Sequence, residues 1–406
     1  MELRCQETDN IAAAANGDVG NTPRRQSRVE ALENQIARLK ESMRIAVVFG
    51  GDKCVDGAVI NRTSNPRSWK SYESVAEDIA AGLRRLGFHF VTTMPDDMYL
   101  GERLRREGIH FAWLNTGGVQ GIGSVAHAPA MLEMFGIPYV GHNPLNAAML
   151  DNKHVLKRDL ALAGIPTAPF LVWQSWRDSL VPKTDARFRA VFGGYEGPFV
   201  VKPVSGRASH HVTVVDAVNE LTTVVDHVHA LTENAVLIER YLSGREFCVS
   251  VCGEVISRRG HFTRLGGPFA FGTVERVLDP EEQIFTSMDQ RPITVDRVRS
   301  LDSEVDSKDI EELKALACQI FAELDVETLI RLDVRADEDG RLFVLEANPK
   351  PDLAAPTADR TSIVCSGLAI EGMTYDDLIL SLLADRIDVL FSQRRSAVNN
   401  LVALLN

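Results

Sequence analysis

The sequence predicts an α/β protein whose N-terminal part contains an open, mostly parallel sheet. Three strand-like runs carry this prediction: RIAVVFGG at 44–51, FHFVTTMP at 88–95 and HFAWLNT at 110–116. Two helical segments, at 72–86 and 101–107, separate these runs. A β-α-β-α-β order implies parallel strands, and ligands of such sheets bind at the carboxyl ends of the strands. We therefore expect a substrate site at that edge.

Length and composition limit the classes of function. The chain of 406 residues has room for about two or three packed units, and 45% hydrophobic with 25% charged residues is ordinary for a globular protein. The net charge of −12 argues against a nucleic-acid partner, because phosphate backbones bind to basic surfaces. A nucleotide site needs only a few local Lys and Arg side chains, so that class of function remains open.

The lack of recognisable targeting signals in the sequence and the cysteine pattern favour a cytoplasmic protein. No run approaches the roughly 18 apolar residues of a membrane span. The N-terminus lacks the basic region and the apolar core of a signal peptide. The six cysteines form no zinc-ligand pattern, so we expect free thiols. No membrane partner is expected.

The first segments of the chain are predicted to be a tail and a helix. Residues 1–24 are polar and aperiodic, which is typical of disorder. In 25–43 the apolar residues recur at alternating spacings of three and four, which predicts a helix with a short a/d seam. The seam residues are Val29, Leu32, Ile36, Leu39 and Met43. Two interpretations stay open: the helix packs on its own chain, or it pairs with a second copy in a homodimer.

The glycine-rich loop at 117–123 follows a strand, which raises the question of a dinucleotide site. Its spacing does not match G-x-G-x-x-G, and no acidic residue follows at the ribose position. No Walker A sequence occurs in the chain either. A dinucleotide-dependent oxidoreductase is therefore disfavoured.

Three lysines stand near a small-residue loop in the middle of the chain. Lys153 and Lys157 are four residues apart on one helix, which ends at Gly164. Lys202 interrupts a run of strand residues just before the loop 205–209. A strand, a lysine, a flexible loop and a return strand can fold a lid over phosphates through backbone N–H groups. The alternative is a plain hairpin with a mobile tip.

A second candidate region follows the next strand, which ends at Glu239. The linker 240–242 connects it to Glu246 on the following strand. We expect this linker to offer a free backbone edge, and adenine is commonly read by backbone N–H and C=O groups in such a place. The irregular, charged stretch 266–308 is long enough to predict a cover over an active site.

The run 330–351 predicts a β-hairpin with a turn at Asp-Glu-Asp-Gly. Arg331 and Asp333 are two residues apart on the first strand and share a face, as do Glu346 and Asn348 on the second. In the simple register Asp333 and Glu346 meet across the hairpin. Two carboxylates and an amide oxygen suit Mg²⁺, and an Arg beside them can hold a phosphoryl group. The alternative is an ordinary solvated acidic face.

The order of these motifs resembles the ATP-grasp superfamily, and more narrowly the D-alanine–D-alanine ligase family, from residue 43 to residue 383. Five segments carry the resemblance: MLEMFGIPYVG, D-N-K-x-x-x-K…AGIPTAP, PFVVKP, LIERYLSGREF, and RLDVRADEDGRLFVLEANPKP with its downstream EGMTYDDLI. The resemblance implies an ATP-grasp fold, in which an N-terminal parallel α/β domain precedes two α+β subdomains that grip ATP. The implied organisation is a tail at 1–24, a helix at 25–43, a substrate-binding domain at 44–145, a central lid subdomain at 146–240 and a C-terminal catalytic subdomain at 241–406.

The resemblance also implies the residues that bind the nucleotide. Lys153 and Lys202 are similar to the two lysines that contact the ATP phosphates, and Ser209 lies in the phosphate lid. The adenine and ribose contacts of the family correspond to Glu239, Arg240, Tyr241, Leu242 and Glu246.

A second implied set binds metal and acts on the reacting groups. The ligands of the two Mg²⁺ ions, with Mn²⁺ as the alternative ion, correspond to Asp333, Glu346 and Asn348. Arg331 is similar to the arginine that stabilises the transferred phosphoryl group and the tetrahedral intermediate.

The implied reaction joins a small-molecule carboxylate, an amino acid or a peptide, to an amine. The carboxylate attacks the γ-phosphate of ATP, which gives an acyl phosphate and ADP. The amine then attacks the acyl carbon, and phosphate departs. Positioning and charge neutralisation by Mg²⁺, Lys and Arg suit this chemistry. Two alternatives are D-alanine–D-alanine ligase proper and an ATP-grasp phosphotransferase acting on a small molecule.

The departures from the family pattern lie mostly in substrate segments. The family's G-G-x-S-x-E becomes GGDKCVDGAVINRTSNPRSW without a matching Glu, and its H-G…G-E-D-G loop becomes 115–121. His211 stands where the family commonly has Gly, Asp352 replaces another Gly, and the lysine–tyrosine signature has no clear counterpart in 266–308. The parts that bind ATP are kept, so we expect a ligase whose substrates are not two D-alanines.

Overall fold

The structure is a computed structural model that describes most of the chain. The described ranges are 23–50, 72–121, 123–174, 176–206, 210–279, 281–285, 297–357, 361–393 and 398–405. The predicted disordered tail lies outside them up to residue 22, as do the substrate loop 51–71 and Ser209 of the predicted phosphate lid. Among the helices within these ranges, none has the length and apolarity needed to cross a membrane.

A four-stranded parallel sheet forms the N-terminal part, in the order β2-β1-β3-β4. Its strands are β1 (Arg44–Gly50), β2 (Phe90–Asp96), β3 (Phe111–Asn115) and β4 (Tyr139–Val140). The connecting helices are α2 (Glu73–Arg85), α3 (Leu100–Arg106) and α4 (His127–Phe135). Six of the seven residues of β1 are buried, because helices cover both faces of a central parallel strand. The predicted parallel α/β unit is confirmed.

The N-terminal helix α1 (Pro23–Ser42) packs on its own chain. The buried seam residues are Leu32, Ile36 and Leu39 of this helix and Met43 directly after it. They share one apolar core with α11 (Tyr375–Gln393) and α12 (Asn399–Leu405). Arg28 donates two hydrogen bonds of 3.2 Å to the carboxylate of Asp388 on α11. The seam is therefore covered by the chain itself, while the homodimer stays a prediction.

A four-stranded antiparallel sheet occupies the middle of the chain, in the order β5-β8-β6-β7. Its strands are β5 (Phe170–Trp173), β6 (Phe199–Pro203), β7 (Thr213–Val215) and β8 (Val236–Arg240). The helices of this part are α5 (Pro144–Asp151), α6 (Lys153–Leu162), α7 (Ala186–Phe192) and α8 (Leu221–Thr232). A separate apolar core, which includes Phe188, Phe199 and Val225, holds the sheet against its helices.

A five-stranded antiparallel sheet follows, in the order β13-β12-β9-β14-β15. Its strands are β9 (Glu246–Cys252), β12 (Phe269–Arg276), β13 (Val298–Ser300), β14 (Ile330–Ala336) and β15 (Leu342–Asn348). The other elements are the hairpin of β10 (Val255–Arg258) and β11 (His261–Arg264), the helix α9 (Ser307–Glu323) and the short α10 (Ile363–Ser366). Each of the three larger sheets lies within one of the segments predicted at 44–145, 146–240 and 241–406, and the boundaries themselves stay predictions.

Candidate active site

The hairpin of β14 and β15 forms as predicted and brings Asp333 and Glu346 together. Asp333 lies opposite Glu346, and Arg331 lies opposite Asn348. The turn is closed by Asp337, whose Oδ1 accepts hydrogen bonds of 2.9 Å from the N–H groups of residues 339 and 341. The register shifts by one residue between Asp333 and Val334, and this shift aligns Asp333 with Glu346 rather than with Leu345.

Three rows of polar side chains cross one face of the C-terminal sheet. Residues paired across neighbouring strands lie on the same face, and alternate residues of one strand repeat that face. The pairing of β9, β12, β14 and β15 gives the rows Arg276–Glu246–Arg335, then Cys248–Asp333–Glu346, then Ser250–Arg331–Asn348. The predicted metal ligands and the predicted catalytic arginine thus occupy two adjacent rows.

Two arginines hold the carboxylate of Asp333. Arg331 donates to both of its oxygens, from Nε to Oδ1 at 2.8 Å and from Nη2 to Oδ2 at 3.1 Å. The Nη1 of Arg276 lies 3.1 Å from Oδ2, and the Sγ of Cys248 lies 3.4 Å from Oδ1. Burial lowers the pKa of Arg331, but the adjacent carboxylate outweighs burial and the pKa is raised. Burial raises the pKa of the Cys248 thiol, so this cysteine is a thiol and not a thiolate.

Lys153 brings the central part of the chain to Glu346. The side chain of Asn152 caps α6 by accepting hydrogen bonds from two backbone N–H groups, so Lys153 is the first residue of the helix. Its ammonium lies 3.0 Å from Oε2 of Glu346 and donates to the carbonyl of Gly206 at 3.1 Å. Burial would raise the pKa of Glu346, but Lys153 and Lys202 hold it well below its usual range.

A buried triad of Lys157, Glu239 and Lys202 lies beside this pair. The Nζ of Lys157 is 2.5 Å from Oε1 of Glu239, and Lys202 forms an ion pair with Oε2 of the same carboxylate. Lys157 is fully buried and also donates to Oγ1 of Thr167 at 2.5 Å. Burial lowers the pKa of Lys157 more than Glu239 raises it. The pKa of Glu239 is lowered despite burial, because two ammonium groups face it.

The linker after β8 differs from its prediction. The N–H of Arg240 donates to the carbonyl of Pro169, and the N–H of Tyr241 donates to the carbonyl of Pro198, each at 3.0 Å. The prediction of a free backbone edge is therefore wrong for these two N–H groups. The physical reason is that β8 lies between β5 and β6, so neighbours on both sides use its last donors.

One pocket collects most of the predicted site residues. Its walls include Lys153, Lys202, Glu239, Arg240, Tyr241, Leu242, Glu246, Asp333 and Glu346. Arg331 and Asn348 lie in the row next to Asp333. Ser209 is outside the described residues, so its placement stays a prediction. The guanidinium of Arg240 reaches Glu338 on the hairpin turn at 2.8 Å.

Several residues that line this pocket were not predicted from the sequence, among them Arg276, Arg335, Ile284 and Phe285. Lys157, which the sequence placed on one helix with Lys153, lies behind the pocket. The period of two along β14 could have indicated Arg335, because it follows Asp333 by two residues. Arg276 reaches the site only through the pairing of β12 with β9.

The donor chemistry of Asp333, Glu346 and Asn348 fits a hard cation such as Mg²⁺, since all three supply oxygen ligands. A cluster of three or more His, Cys, Asp or Glu side chains suited to a metal does not occur in the part of the chain that the structure describes. Substrate phosphates usually complete a Mg²⁺ shell, so two carboxylates and one amide are a sufficient protein contribution.

Comparisons with known proteins identify the family of the chain. The family model described as D-ala D-ala ligase C-terminus matches residues 160–384. A D-alanine–D-alanine ligase of Pseudomonas putida (strain GB-1) is 28% identical over 348 residues, which cover 85% of this chain and 93% of that protein. The protein y4sG of Sinorhizobium fredii, named as uncharacterized, is 27% identical over 359 residues, which cover 84% of this chain and 96% of that protein.

Solved structures show the same fold. The D-alanine–D-alanine ligase from Bacillus anthracis complexed with ATP has a TM-score of 0.61 at 22% identity, with 86% of this chain and 98% of that chain covered. The D-alanine–D-alanine ligase from Coxiella burnetii has a TM-score of 0.62 at 18% identity, with 90% of this chain and 100% of that chain covered.

The fold and the pocket define an ATP-grasp enzyme, as the sequence predicted. Because the family model covers more than half of the chain, the chain belongs to the D-ala D-ala ligase family. It is an ATP-dependent ligase that joins a carboxylate to an amine.

Proposed function

We propose that the enzyme activates a small-molecule carboxylate, an amino acid or a peptide, with ATP and passes the acyl group to an amine. A carboxylate oxygen forms a bond to the γ-phosphorus, and the bond from that phosphorus to ADP breaks. The amine nitrogen then bonds to the acyl carbon and loses a proton, and inorganic phosphate leaves with the former carboxylate oxygen. The observation that carries this proposal is the single pocket that joins Lys153 and Lys202 to the carboxylates of Asp333 and Glu346.

Lys153 and Lys202 are proposed to bind the ATP phosphates. Both ammonium groups reach the pocket from the central part of the chain and face carboxylates on the pocket wall. Phosphoryl transfer is catalysed mostly by positioning and charge neutralisation, which two buried ammonium groups can provide. Ser209 is proposed as a third phosphate contact.

Glu239, Glu246 and the linker Arg240, Tyr241 and Leu242 are proposed to bind adenine and ribose. They line the pocket together with Ile284 and Phe285. Since the N–H groups of Arg240 and Tyr241 are used within the sheet, backbone recognition of adenine falls to the N–H of Leu242 and to carbonyl oxygens of the linker.

Asp333, Glu346 and Asn348 would hold Mg²⁺, with Mn²⁺ as the alternative ion. When bound there, the ion would neutralise charge on the phosphates of ATP. The protein's own cations already stand at these carboxylates, with Arg276 and Arg331 on Asp333 and Lys153 on Glu346. Lys153 and Lys202 lower the pKa of Glu346, which keeps this carboxylate in the ionised form that a cation binds.

Arg331 is proposed as the catalytic residue. Its guanidinium is fixed by two hydrogen bonds to Asp333. Arg331 itself lies opposite Asn348. A fixed guanidinium is suited to the equatorial oxygens of a transferred phosphoryl group and to the oxyanion of the tetrahedral intermediate. No reorganisation of the side chain would be needed at the moment of reaction.

The substrates are proposed to differ from two D-alanines. Several relatives are named D-alanine–D-alanine ligase, which keeps that activity as the second candidate. In this chain Thr116 binds the buried carboxylate of Asp96 at 2.7 Å, and Asp352 accepts a hydrogen bond from the N–H of Ala354 at 3.1 Å. These contacts belong to two segments where the sequence departs from the family pattern. A cytoplasmic location and a homodimer stay predictions.

ADP release from a panel of amino acids and peptides tests the proposal. We expect ADP and phosphate in equal amounts only when a carboxylate and an amine are both supplied. ADP release with one substrate and a phosphorylated product would instead identify a phosphotransferase. D-alanine as the most efficient substrate would identify a D-alanine–D-alanine ligase and contradict the proposed difference in substrates.

A further inference from the structure

The nucleotide end of the pocket contains a buried arginine that the mechanism above does not use. Arg335 lies on β14, two residues after Asp333, and its side chain is 5% exposed. We propose that Arg335 is a positioning residue that builds the adenine and ribose end of the pocket and thereby sets the affinity for ATP. The proposal rests on the proposed use of this pocket for ATP.

Arg335 closes a ring of hydrogen bonds with Tyr241 and the backbone of Gln283. Its Nη2 donates to Oη of Tyr241 at 3.0 Å, and its Nη1 donates to the carbonyl oxygen of Gln283 at 3.0 Å. The hydroxyl of Tyr241 donates to the same carbonyl at 3.1 Å. The guanidinium also lies 4.8 Å from the centre of the Tyr241 ring. The linker and the chain at Gln283 are therefore held to each other through one side chain.

The same guanidinium reaches two further points on the wall of the pocket. Its Nε donates to the carbonyl of Gly244 at 3.3 Å, and its Nη1 lies 3.5 Å from Oε2 of Glu246. A Cβ at Gly244 would lie 2.6–2.7 Å from the carbonyl oxygens of residues 336 and 337, so only glycine permits this close approach to β14. Arg335 thus fixes both ends of the turn between the linker and Glu246.

The segment 281–285, here called the cover segment, contributes to the wall of the pocket. Ile284 and Phe285 line the pocket. Phe285 is 5% exposed and lies between two guanidinium groups, 4.4 Å from Arg297 and 5.1 Å from Arg276. Since Arg335 and Tyr241 bind the Gln283 carbonyl, their loss would release the cover segment from the linker.

The residue type explains why lysine would not serve. Arg335 uses three different nitrogens for three different oxygen acceptors, and a planar guanidinium presents its donors in a fixed fork. A lysine ammonium keeps the positive charge opposite Glu246 but cannot hold this fork. Hydrogen bonds from a charged donor are stronger than neutral ones. Loss of those from Arg335 would therefore loosen the pocket wall that shapes the nucleotide site.

Substitution of Arg335 with Met tests the role, and isothermal titration with ATP gives a readout that does not depend on turnover. We expect Arg335→Met to raise the Kd and the KM for ATP by about tenfold or more, with kcat at saturating ATP changed by less than about threefold. The KM values of the carboxylate and the amine should not change. A purely structural defect would lower kcat through the active fraction and leave the KM for ATP unchanged, which would overturn the proposal.

Three further variants make the test specific. Tyr241→Phe removes one hydroxyl from the ring of bonds and should weaken ATP binding less than Arg335→Met, while the double variant should be no weaker than Arg335→Met alone. Arg335→Lys should be intermediate. Arg299→Met, which removes an exposed arginine of β13 paired with Glu275 and Asp306, is the matched control and should leave ATP affinity unchanged.

The outcomes separate this proposal from the proposed function. If Arg335→Met does not fold, an unchanged ATP affinity in both Tyr241→Phe and Arg335→Lys overturns the proposal. If ATP affinity falls as expected but no pair of carboxylate and amine supports ADP release, the positioning role holds and the ligase function fails. If the wild-type enzyme ligates its substrates and Arg335→Met binds ATP normally, the positioning role alone is wrong.

Discussion

The two sides of the pocket use different cations, lysines on one side and arginines on the other. On the central side, Lys153, Lys157 and Lys202 face the carboxylates of Glu239 and Glu346. On the C-terminal side, Arg276, Arg331 and Arg335 face those of Asp333 and Glu246. These six cations face four carboxylates, so the ten side chains together have an excess of two positive charges. This local excess suits the phosphates of ATP in a chain of net charge −12.

The difference in cation type indicates different roles for the two sides, because lysines and arginines bind anions with different geometry. A lysine ammonium is a point charge on a flexible stem, and it can turn from a carboxylate to a phosphate without a fixed geometry. An arginine guanidinium is planar and binds in a fork, as the two bonds from Arg331 to Asp333 show. We infer that the lysine side attracts and holds the phosphates, whereas the arginine side fixes the positions of the carboxylates and of the reacting groups.

Removal of a carboxylate on the border of the two sides should give the largest effect. Glu346→Gln keeps the size of the side chain but removes the charge that faces Lys153 and the proposed Mg²⁺. We expect the rate of ADP release to fall by about a hundredfold or more. The measurement is steady-state ADP release at saturating ATP and Mg²⁺. Near-normal release by this variant would show that Glu346 is not a metal ligand.

The arginine side is tested by a change that keeps the charge and removes the fork. Arg331→Lys should lower kcat by about a hundredfold and leave the affinity for ATP nearly unchanged, because the ammonium cannot hold the two bonds to Asp333. The rate of ADP release at saturating substrates gives kcat, and titration with ATP gives the affinity for ATP. An equal loss in Lys202→Arg would remove the proposed difference between the two sides.

The lysine side is tested at its fully buried member. Lys157→Met leaves Glu239 with Lys202 as its remaining cation of the triad, and breaking a buried pair typically costs about 3–5 kcal/mol of unfolding free energy. We also expect a higher KM for ATP, because Glu239 and Lys202 then change position. Chemical denaturation and ATP titration measure the two effects. Lys183→Met, at an exposed lysine of the same part of the chain, is the control and should change neither quantity.

Asp385, a buried carboxyl away from the pocket, has a raised pKa, whereas the pKa values of Glu239 and Glu346 in the pocket are lowered. Burial raises the pKa of Asp385 from 3.8 to about 6, although the N–H of Val255 donates to it at 3.0 Å. The carboxylates of Asp388 and Glu254 raise it further, and Arg264 opposes them. Between these two values the folded state binds more protons than the unfolded state, so the free energy of unfolding falls as pH rises.

The predicted size of this pH effect is about 2–3 kcal/mol for a shift of this magnitude. The stabilisation is complete below about pH 4 and lost above about pH 6. Denaturation curves measured across this pH range give the free energy of unfolding at each pH. This free energy should change less with pH in Asp385→Asn than in the wild type. Equal slopes would show that Asp385 does not carry the shift.

The side of the pocket that depends on local pattern was the easier one to predict. The period of two along β14 and β15 and the turn between them were sufficient to bring Asp333 close to Glu346, but not to predict the one-residue register shift that aligns them. Both strands and their turn lie within one short stretch of chain, so no knowledge of other strands was needed.

Contacts between distant segments could not be obtained in this way. Arg276 reaches Asp333 because β12 pairs with β9, and Lys157 on α6 reaches Glu239 at the end of β8, which lies far from it along the chain. The free edge expected at Arg240 and Tyr241 was wrong for the same reason, since the order β5-β8-β6 makes β8 an inner strand. Strand order is a non-local property, and a single sequence gives no direct signal of it.

The transfer of oxygen from the carboxylate to phosphate tests the central claim most directly. A substrate that supports ADP release is labelled with ¹⁸O in its carboxylate, and the released inorganic phosphate is analysed by mass spectrometry. An acyl phosphate intermediate predicts one ¹⁸O atom in each phosphate, because the phosphate leaves with the oxygen that attacked ATP. Phosphate without label, released together with ADP, would contradict activation of the carboxylate in this pocket.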